Sequence, residues 1–449
     1  MVDFQFPLPG LARDINSLTQ QEKEFVNYFA AIDPKCIYPV VQHYVGIGPR
    51  GYGTALIIAR ILKIRERILT DRQLARALKQ NDLYRFVTND SQPAHNTFHT
   101  LRSRLGVDGF SEIHKRFVLR AYHLGLLEPD IKDLPKNRRK GIVLVADSTF
   151  LITAGSTIGH KDEKGVWHFP DETVAFSGKA HHSHKYAVGH KAHSLRTISG
   201  IPMVTILTSA NEHDQSAIMA LLEMVKKQYP YLTFAYIILD KGYDADEYHE
   251  DIYEFFDIIP IIIRKKMVYP KDFSKDGYPL CRWGFSMKPK GLDYERKRTK
   301  YACFKICKQS DQPLLFSCEY VKEQKAHGFV RYTHFQDNYR KYGPAVPHSL
   351  IYKKLKPFRT GIERTFALVK ENRYRMEISN CYKGIENVTI HCIEHDIVLT
   401  QDIICDYIQT GKLSPVLNLN YCQWESKSVP ISGIEKCTTH PLGGCYLNR

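Results

Sequence analysis

Three carboxylates occupy positions where a charge is costly to place. Asp147 closes the apolar run "VLVADST", Asp240 closes "AYIILD", and Glu363 lies in "RTGIERTFALVK". A carboxylate at the end of a buried strand loses hydration and needs compensation. Asp opens turns and caps helices, so Asp240 ahead of Lys241 and Gly242 has a local reading as a turn residue. The other reading is chemical. Two carboxylates side by side need a cation between them, or one must take up a proton. Hard divalent ions such as Mg²⁺ take carboxylate oxygens and keep positions open for phosphate oxygens. Arg359, Glu363 and Lys370 fall at i, i+4 and i+11 of one helical pattern, and at about 100° per residue they return to within about 40° of each other. One acid between two bases fits helix ion pairs worth about 0.3–0.5 kcal/mol each, or a face turned to phosphate.

The surrounding elements must bring these residues together. "GIVLVADST" (Gly141 to Thr149), "YAVGHKAHSLRT" (Tyr186 to Thr197) and "IPMVTILTSA" (Ile201 to Ala210) read as three strands, with "SGIP" a tight turn between the last two. Asp214 is expected to cap the helix "QSAIMALLEMVKK". "FAYIILD" is a fourth strand, "ADEYHEDIYEFF" a helix and "DIIPIIIRKK" a fifth strand. Three strands in a meander followed by helix–strand–helix–strand predict a ribonuclease-H-like mixed sheet flanked by helices, ordered 3-2-1-4-5. Strands one and four are then neighbours, which sets Asp147 beside Asp240. Glu363 is the candidate third acid.

The preceding chain is helical. "TALIIARILKIRERILTDRQLARALKQ" carries apolar residues at helical spacing with bases opposite. "PAHNTFHTLRSRLG" has Asn96 or Thr97 as its expected cap, with Arg102 and Arg104 exposed. The predicted domains are an all-α region at 1–135, a mixed-sheet core at 136–266 and 351–410, a β-rich insertion at 267–350, and a loosely ordered tail at 411–449. "DIKDLPKNRRK" reads as a linker, and no internal repeat is visible.

The 449 residues carry 63 Lys+Arg against 48 Asp+Glu, a net +15, and 12% are aromatic. That excess points to a polyanion, and the aromatics supply stacking surfaces. The start "MVDFQFPLPGLARDIN" lacks a signal-peptide pattern, and no run approaches a membrane span of about 20 apolar residues. The eleven cysteines show no small-scaffold pattern, so thiols are expected to be reduced. The expectation is a soluble protein of the cytoplasm, associated with the nucleoid and with no membrane partner.

The run "ADST…GHKAHSL…LTSANEHD…ILDKGYD…RTGIERTFALVK" resembles the DDE transposases of bacterial insertion sequences, over roughly Ile142 to Asp396. The helical region ending in "FHTLRSRLG" is similar to that family's amino-terminal DNA-binding domain. Arg359, Glu363 and Lys370 match the Arg, Glu and Lys of the family's third-acid signature, while Lys356 stands where the pattern has Tyr. The resemblance implies that Asp147, Asp240 and Glu363 hold two Mg²⁺ or Mn²⁺ ions for cutting transposon ends and joining them to target DNA. Such a metal pair clamps the attacking and leaving oxygens of an in-line displacement. It further implies that Arg359 and Lys370 bind phosphates beside the scissile bond. The partners implied are double-stranded DNA, as terminal repeats and target, and a second copy of the chain as a homodimer on DNA.

Weaker signals have plainer explanations. Asp244 and Asp246 read as turn and cap residues, and Ser148 and Thr149 as turn residues lacking a base to activate them. "HHSHKYAVGH", with His181, His182, His184 and His190, reads as a loop entering a strand. Cys281, Cys303, Cys307 and Cys318 have the count for a structural zinc, but no Cys-x-x-Cys pair, so buried thiols are favoured. Trp283 suits either core packing or gripping an unstacked base. His391 and His395 share a helical face, and Cys437, His440 and Cys445 are a further weak zinc suggestion. Three rival functions remain: an inactive or domesticated DNA-binding relative, a nuclease that cuts without joining, and a two-acid glycosidase, which neither charge nor element order favours.

Overall fold

The computed structural model describes residues 18–46, 53–128, 131, 134, 135, 138–177, 187–303, 318 and 328–413, with only the backbone at 371 and 372. The expected tail, apart from 411–413, lies outside these residues, as do His181, His182, His184, Cys307, Cys437, His440 and Cys445. Two compact units divide the chain. The first comprises Met1–Lys132, Asp147–Pro230 and Gly361–Arg449; the second comprises Asp133–Ala146 and Tyr231–Thr360.

The first unit opens with helices α1 (Gln20–Ala30), α2 (Tyr38–Tyr44), α3 (Gly53–Arg65), α4 (Asp71–Gln80), α5 (Asp82–Val87) and α6 (His95–His123). Thr19 with Glu22, and Thr70 with Gln73, form reciprocal capping boxes that satisfy orphan amides at the starts of α1 and α4. The run from Thr54 to Gln80 is therefore two helices, because Arg67 turns left-handed and Thr70 starts a new one. The N-cap of α6 is Ala94, not Asn96 or Thr97, and the helix bends where Gly106 takes φ 58° and ψ −168°.

Strand β1 (Ile142–Ile152) is followed by short strands β2 (His160–Lys161), β3 (Trp167–His168) and β4 (Ala175–Phe176). Strands β5 (Val188–Thr197) and β6 (Pro202–Ser209) form the expected hairpin, antiparallel with Ala192 opposite Leu207 and Ser194 opposite Thr205. Gly200 closes it at φ 89°, a conformation that favours glycine. Helix α7 (Asp214–Gln228) has His213 as its N-cap; Asp214 is its first residue, not the cap.

In the second unit, β7 (Phe234–Leu239), α8 (Asp246–Phe256) and β8 (Ile259–Ile262) follow in order. β1 pairs parallel with β7, and β7 parallel with β8, which requires a crossover such as α8. β7 is buried from end to end, each of its Ile and Leu side chains contributing about 1.5–3 kcal/mol by leaving water. The pairings β6–β5, β5–β1, β1–β7 and β7–β8 follow the expected order, and β4 also pairs β5. The result is a mixed sheet flanked by helices. A separate antiparallel sheet, ordered β11-β10-β9, is built from β9 (Lys288–Asp293), β10 (Arg298–Ala302) and β11 (Val330–His334). Cys281, Met287, Tyr301 and Cys303 form its buried cluster. Helices α9 (Tyr339–Tyr342) and α10 (Leu350–Leu355) follow, then α11 (Arg359–Ala367) and α12 (Ile385–Thr410).

Candidate active site

β1 does not stop at Asp147 but continues through Ser148 and Thr149 to Ile152, which makes those two residues strand rather than turn. Asp147 is half-buried, and its Oδ1 accepts the Ser148 amide at 2.9 Å. Its charge reaches Arg196 on β5, whose guanidinium burial pushes down while Asp396 and, less strongly, Asp147 favour its charged form. Arg196 is 3% exposed, lies 3.2 Å from Asp396 on α12, and stacks 4.5 Å from the centre of the Phe366 ring on α11. Asp396 also accepts the Thr205 hydroxyl at 2.7 Å. Phe366 stands three residues beyond Glu363. A buried arginine thus ties the helix of Glu363 to the strand beside Asp147. Glu363 itself is exposed.

Asp240 is the first exposed residue after β7. It precedes a short 3₁₀ turn, Lys241–Tyr243, yet its side chain makes no capping bond; the turn closes through the Tyr243 amide to the Asp240 carbonyl at 3.1 Å. Local capping therefore does not explain this aspartate. The parallel register pairs Val145 of β1 with Ile238 of β7. The pairing ends there; Asp147 and Asp240 each stand two positions further along the chain.

Arg359 and Lys370 are both buried, and Lys370 Nζ lies 3.4 Å from Glu377. α11 ends at Ala367 and passes into a π-helical turn, Leu368–Asn372, closed by the Arg373 amide on the Leu368 carbonyl at 2.8 Å. This i→i+5 turn is wider than an α-turn, so Lys370 does not keep the helical phase that the spacing predicts.

Several charged residues read as surface positions are buried partners instead. Arg60, Lys63 and Arg102 are each 3–4% exposed, where solvated bases were expected. Glu394 on α12 is the reason: Arg60 grips both its oxygens at 2.6 Å and Arg102 adds a third bond at 2.6 Å. Asp71 accepts from Arg60 and Lys63 at 2.6 and 2.7 Å. Burial opposes ionisation of Glu394, but the charges of Arg60 and Arg102 outweigh it and hold the carboxyl down at about 2. The one sequence signal was two bases inside an apolar run, facing acids in a distant apolar helix. In the second unit, Asp244 is fully buried against Arg264, Arg340, His249 and the Lys265 amide, which hold its carboxyl well below the usual range against the cost of burial. Asp246 accepts from the Arg340 amide and from Asn338.

His391 Nε2 lies 2.9 Å from the Met376 carbonyl, and His395 Nδ1 2.8 Å from the His391 carbonyl, while His395 Nε2 is buried without a hydrogen bond among the described residues. His190 is buried on β5, 2.9 Å from Thr173 Oγ1. Trp283 is 44% exposed, while Cys281, Cys303 and Cys318 are buried free thiols. Among the described residues, no three His, Cys, Asp or Glu side chains are grouped as a metal centre. By chemistry alone, Asp147, Asp240 and Glu363 are an all-oxygen donor set suited to a hard divalent ion.

The class that this sheet and these acids suggest is settled by comparison with known families. Residues 138–395, more than half of the chain, match the transposase DDE domain family. The chain belongs to that family and is a DNA transposase, of a kind that normally works with divalent metal ions. A solved structure, the cryo-EM structure of the piggyBac transposase synaptic complex with hairpin DNA, is 12% identical and covers 88% of this chain and 77% of its own. Its TM-score of 0.30 is too low to carry a structural argument. No curated protein matches the chain.

Proposed function

We propose that the chain cleaves DNA at the ends of a transposable element and joins the freed 3′-hydroxyl to target DNA, with Asp147, Asp240 and Glu363 as its catalytic acids. What carries this is membership of the transposase DDE domain family, with Asp147 and Asp240 each two positions beyond the paired Val145 and Ile238 in the sequence. The Arg196 bridge, from the strand beside Asp147 to the helix of Glu363, supports the third member. When bound, two Mg²⁺ or Mn²⁺ ions activate the attacking oxygen and neutralise charge on the phosphate. The three carboxylates hold and orient those ions. Arg359 and Lys370 bind the flanking phosphates, Lys370 exchanging Glu377 for one of them. The helical region 1–135 finds the terminal repeats, the insertion 267–350 covers the reacting ends, and two copies act together on paired ends.

The rival is a relative that only binds DNA. Plasmid excision in cells separates the two. With the element and its flanks in place, excision by the wild type and none by Asp240→Asn, at matched protein levels, is the expected result. Equal excision by both overturns the role of Asp240. Binding without excision by either selects the rival. Cut DNA without joined product, when 3′-hydroxyl ends are supplied, selects a nuclease.

A further inference from the structure

Two arginines hold a backbone conformation that favours glycine. Arg67 has φ 57° and Arg375 has φ 50°. Arg67 is the residue at which α3 stops: the Ile68 amide donates to the Lys63 carbonyl at 2.8 Å and the Arg67 amide to the Ile64 carbonyl at 3.1 Å. That is the Schellman arrangement, whose left-handed residue is ordinarily glycine. Arg375 ends the segment after the π-helical turn, where the Met376 amide returns to the Val369 carbonyl at 3.1 Å. Within the first unit, the end of α3 and a position three residues beyond the π-helical turn each carry arginine where a side chain adds strain, and strain of this kind concentrates at functional sites.

Both side chains are exposed and line one shallow notch, together with Arg60, Lys63, Tyr374 and Glu394. Beneath them Arg60 and Lys63 are already committed to Glu394 and Asp71. Arg67 donates its Nε to the Arg373 carbonyl at 3.0 Å, one of its five N–H donors. Among the described residues, neither Arg67 nor Arg375 has a carboxylate within ion-pair distance. A helix C-terminus attracts cations, which is the structural explanation of such residues. It does not explain the choice of arginine at either left-handed position.

We propose that Arg67 and Arg375 form a clamp for the DNA phosphate backbone, a contact surface separate from the acids and their flanking bases. The proposal rests on the transposase reading for its partner. Arginine's planar fork grips phosphate oxygens two at a time, and such contacts fix position without reading sequence.

Glycine substitution separates the two explanations, because it relieves the backbone while removing the charge. The full-length protein carrying Arg67→Gly and Arg375→Gly is compared with wild type and with Arg67→Lys and Arg375→Lys. Binding to a fluorescein-labelled random-sequence duplex is followed by anisotropy across a salt series, with thermal melting of each protein alongside. The expected result is a glycine variant that melts no lower than wild type, while its log K against log salt slope shrinks by about 2, at about 0.9 per phosphate contact. The lysine variant should keep most of the slope. An unchanged slope and affinity in the glycine variant, with wild type binding normally, overturns the clamp alone. A lysine variant that loses as much slope as the glycine variant also overturns it, since the slope counts neutralised phosphates and lysine keeps the charge. No binding by wild type overturns the clamp and the transposase reading together.

Discussion

At the scale of single residues, the buried charges dominate what can be tested. Glu394 is the counter-ion of two buried guanidinium groups. Glu394→Gln leaves Arg102 without its carboxylate and Arg60 with Asp71 alone, and should cost about 3–5 kcal/mol of stability, read from denaturant unfolding. The carboxyl sits at about 2 when folded, against an ordinary 4.5, so its contribution is complete above pH 4.5 and is lost as pH falls toward 2. Histidines act in a higher window. Burial pushes His114, His193, His249, His348 and His395 down to about 4, from an ordinary 6.5. Between those values the unfolded chain binds protons that the folded one refuses, so stability rises with pH there. The melting temperature should fall steeply as pH drops from 6.5 to about 4, and a flat profile over that range would contradict the burial of these rings. Asp147→Ala should, without metal, preserve or tighten DNA binding, because it removes a negative charge facing a polyanion.

Elements owe their boundaries to a few positions of special backbone. Gly106 bends α6 with open space where a side chain would lie, so Gly106→Ala meets no clash and its cost is conformational. That substitution should destabilise by about 1–3 kcal/mol in thermal or urea unfolding. The helix carrying Glu363 shows how far periodicity can be trusted. Its start at Arg359 was legible from spacing, but the shared face was not kept: Arg359 and Lys370 are buried while Glu363 is exposed. The π-helical turn at Leu368–Asn372 was not, because a widened turn leaves the residue types of an ordinary helix in place. The β5–β6 hairpin was readable from its Gly-Ile-Pro turn and alternating pattern. The cap of α6 was not, since Ala94 holds an N-cap position with no side-chain bond to advertise it.

For the whole molecule, the net +15 and membership of the transposase DDE domain family make DNA affinity strongly dependent on salt. No helix among the described residues is long and apolar enough to cross a membrane. If the three acids take divalent metal, Mg²⁺ or Mn²⁺ should raise the melting temperature of the wild type by mass action, and Asp147→Ala with Asp240→Asn should abolish that rise. An equal rise in wild type and variant would assign the effect to ions bound elsewhere.

By itself the sequence determined the order of strands, the apolar runs that lead to Asp147 and Asp240, the Arg–Glu–Lys spacing and the basic surplus. These are local or periodic properties: alternation, apolar runs and turn residues fix which element a residue belongs to without knowledge of its distant partners. Only the tertiary structure decided the fate of Arg60, Lys63, Arg102, Arg196 and Asp244. Each carries a charge whose meaning depends on what lies across the core: Glu394, which pairs with Arg60 and Arg102, and Asp396, which pairs with Arg196, lie more than a hundred residues away. The same holds for Lys370, which spacing turns toward phosphate and which the folded chain buries beside Glu377. Charge is written in the sequence, but its solvation is a property of the fold.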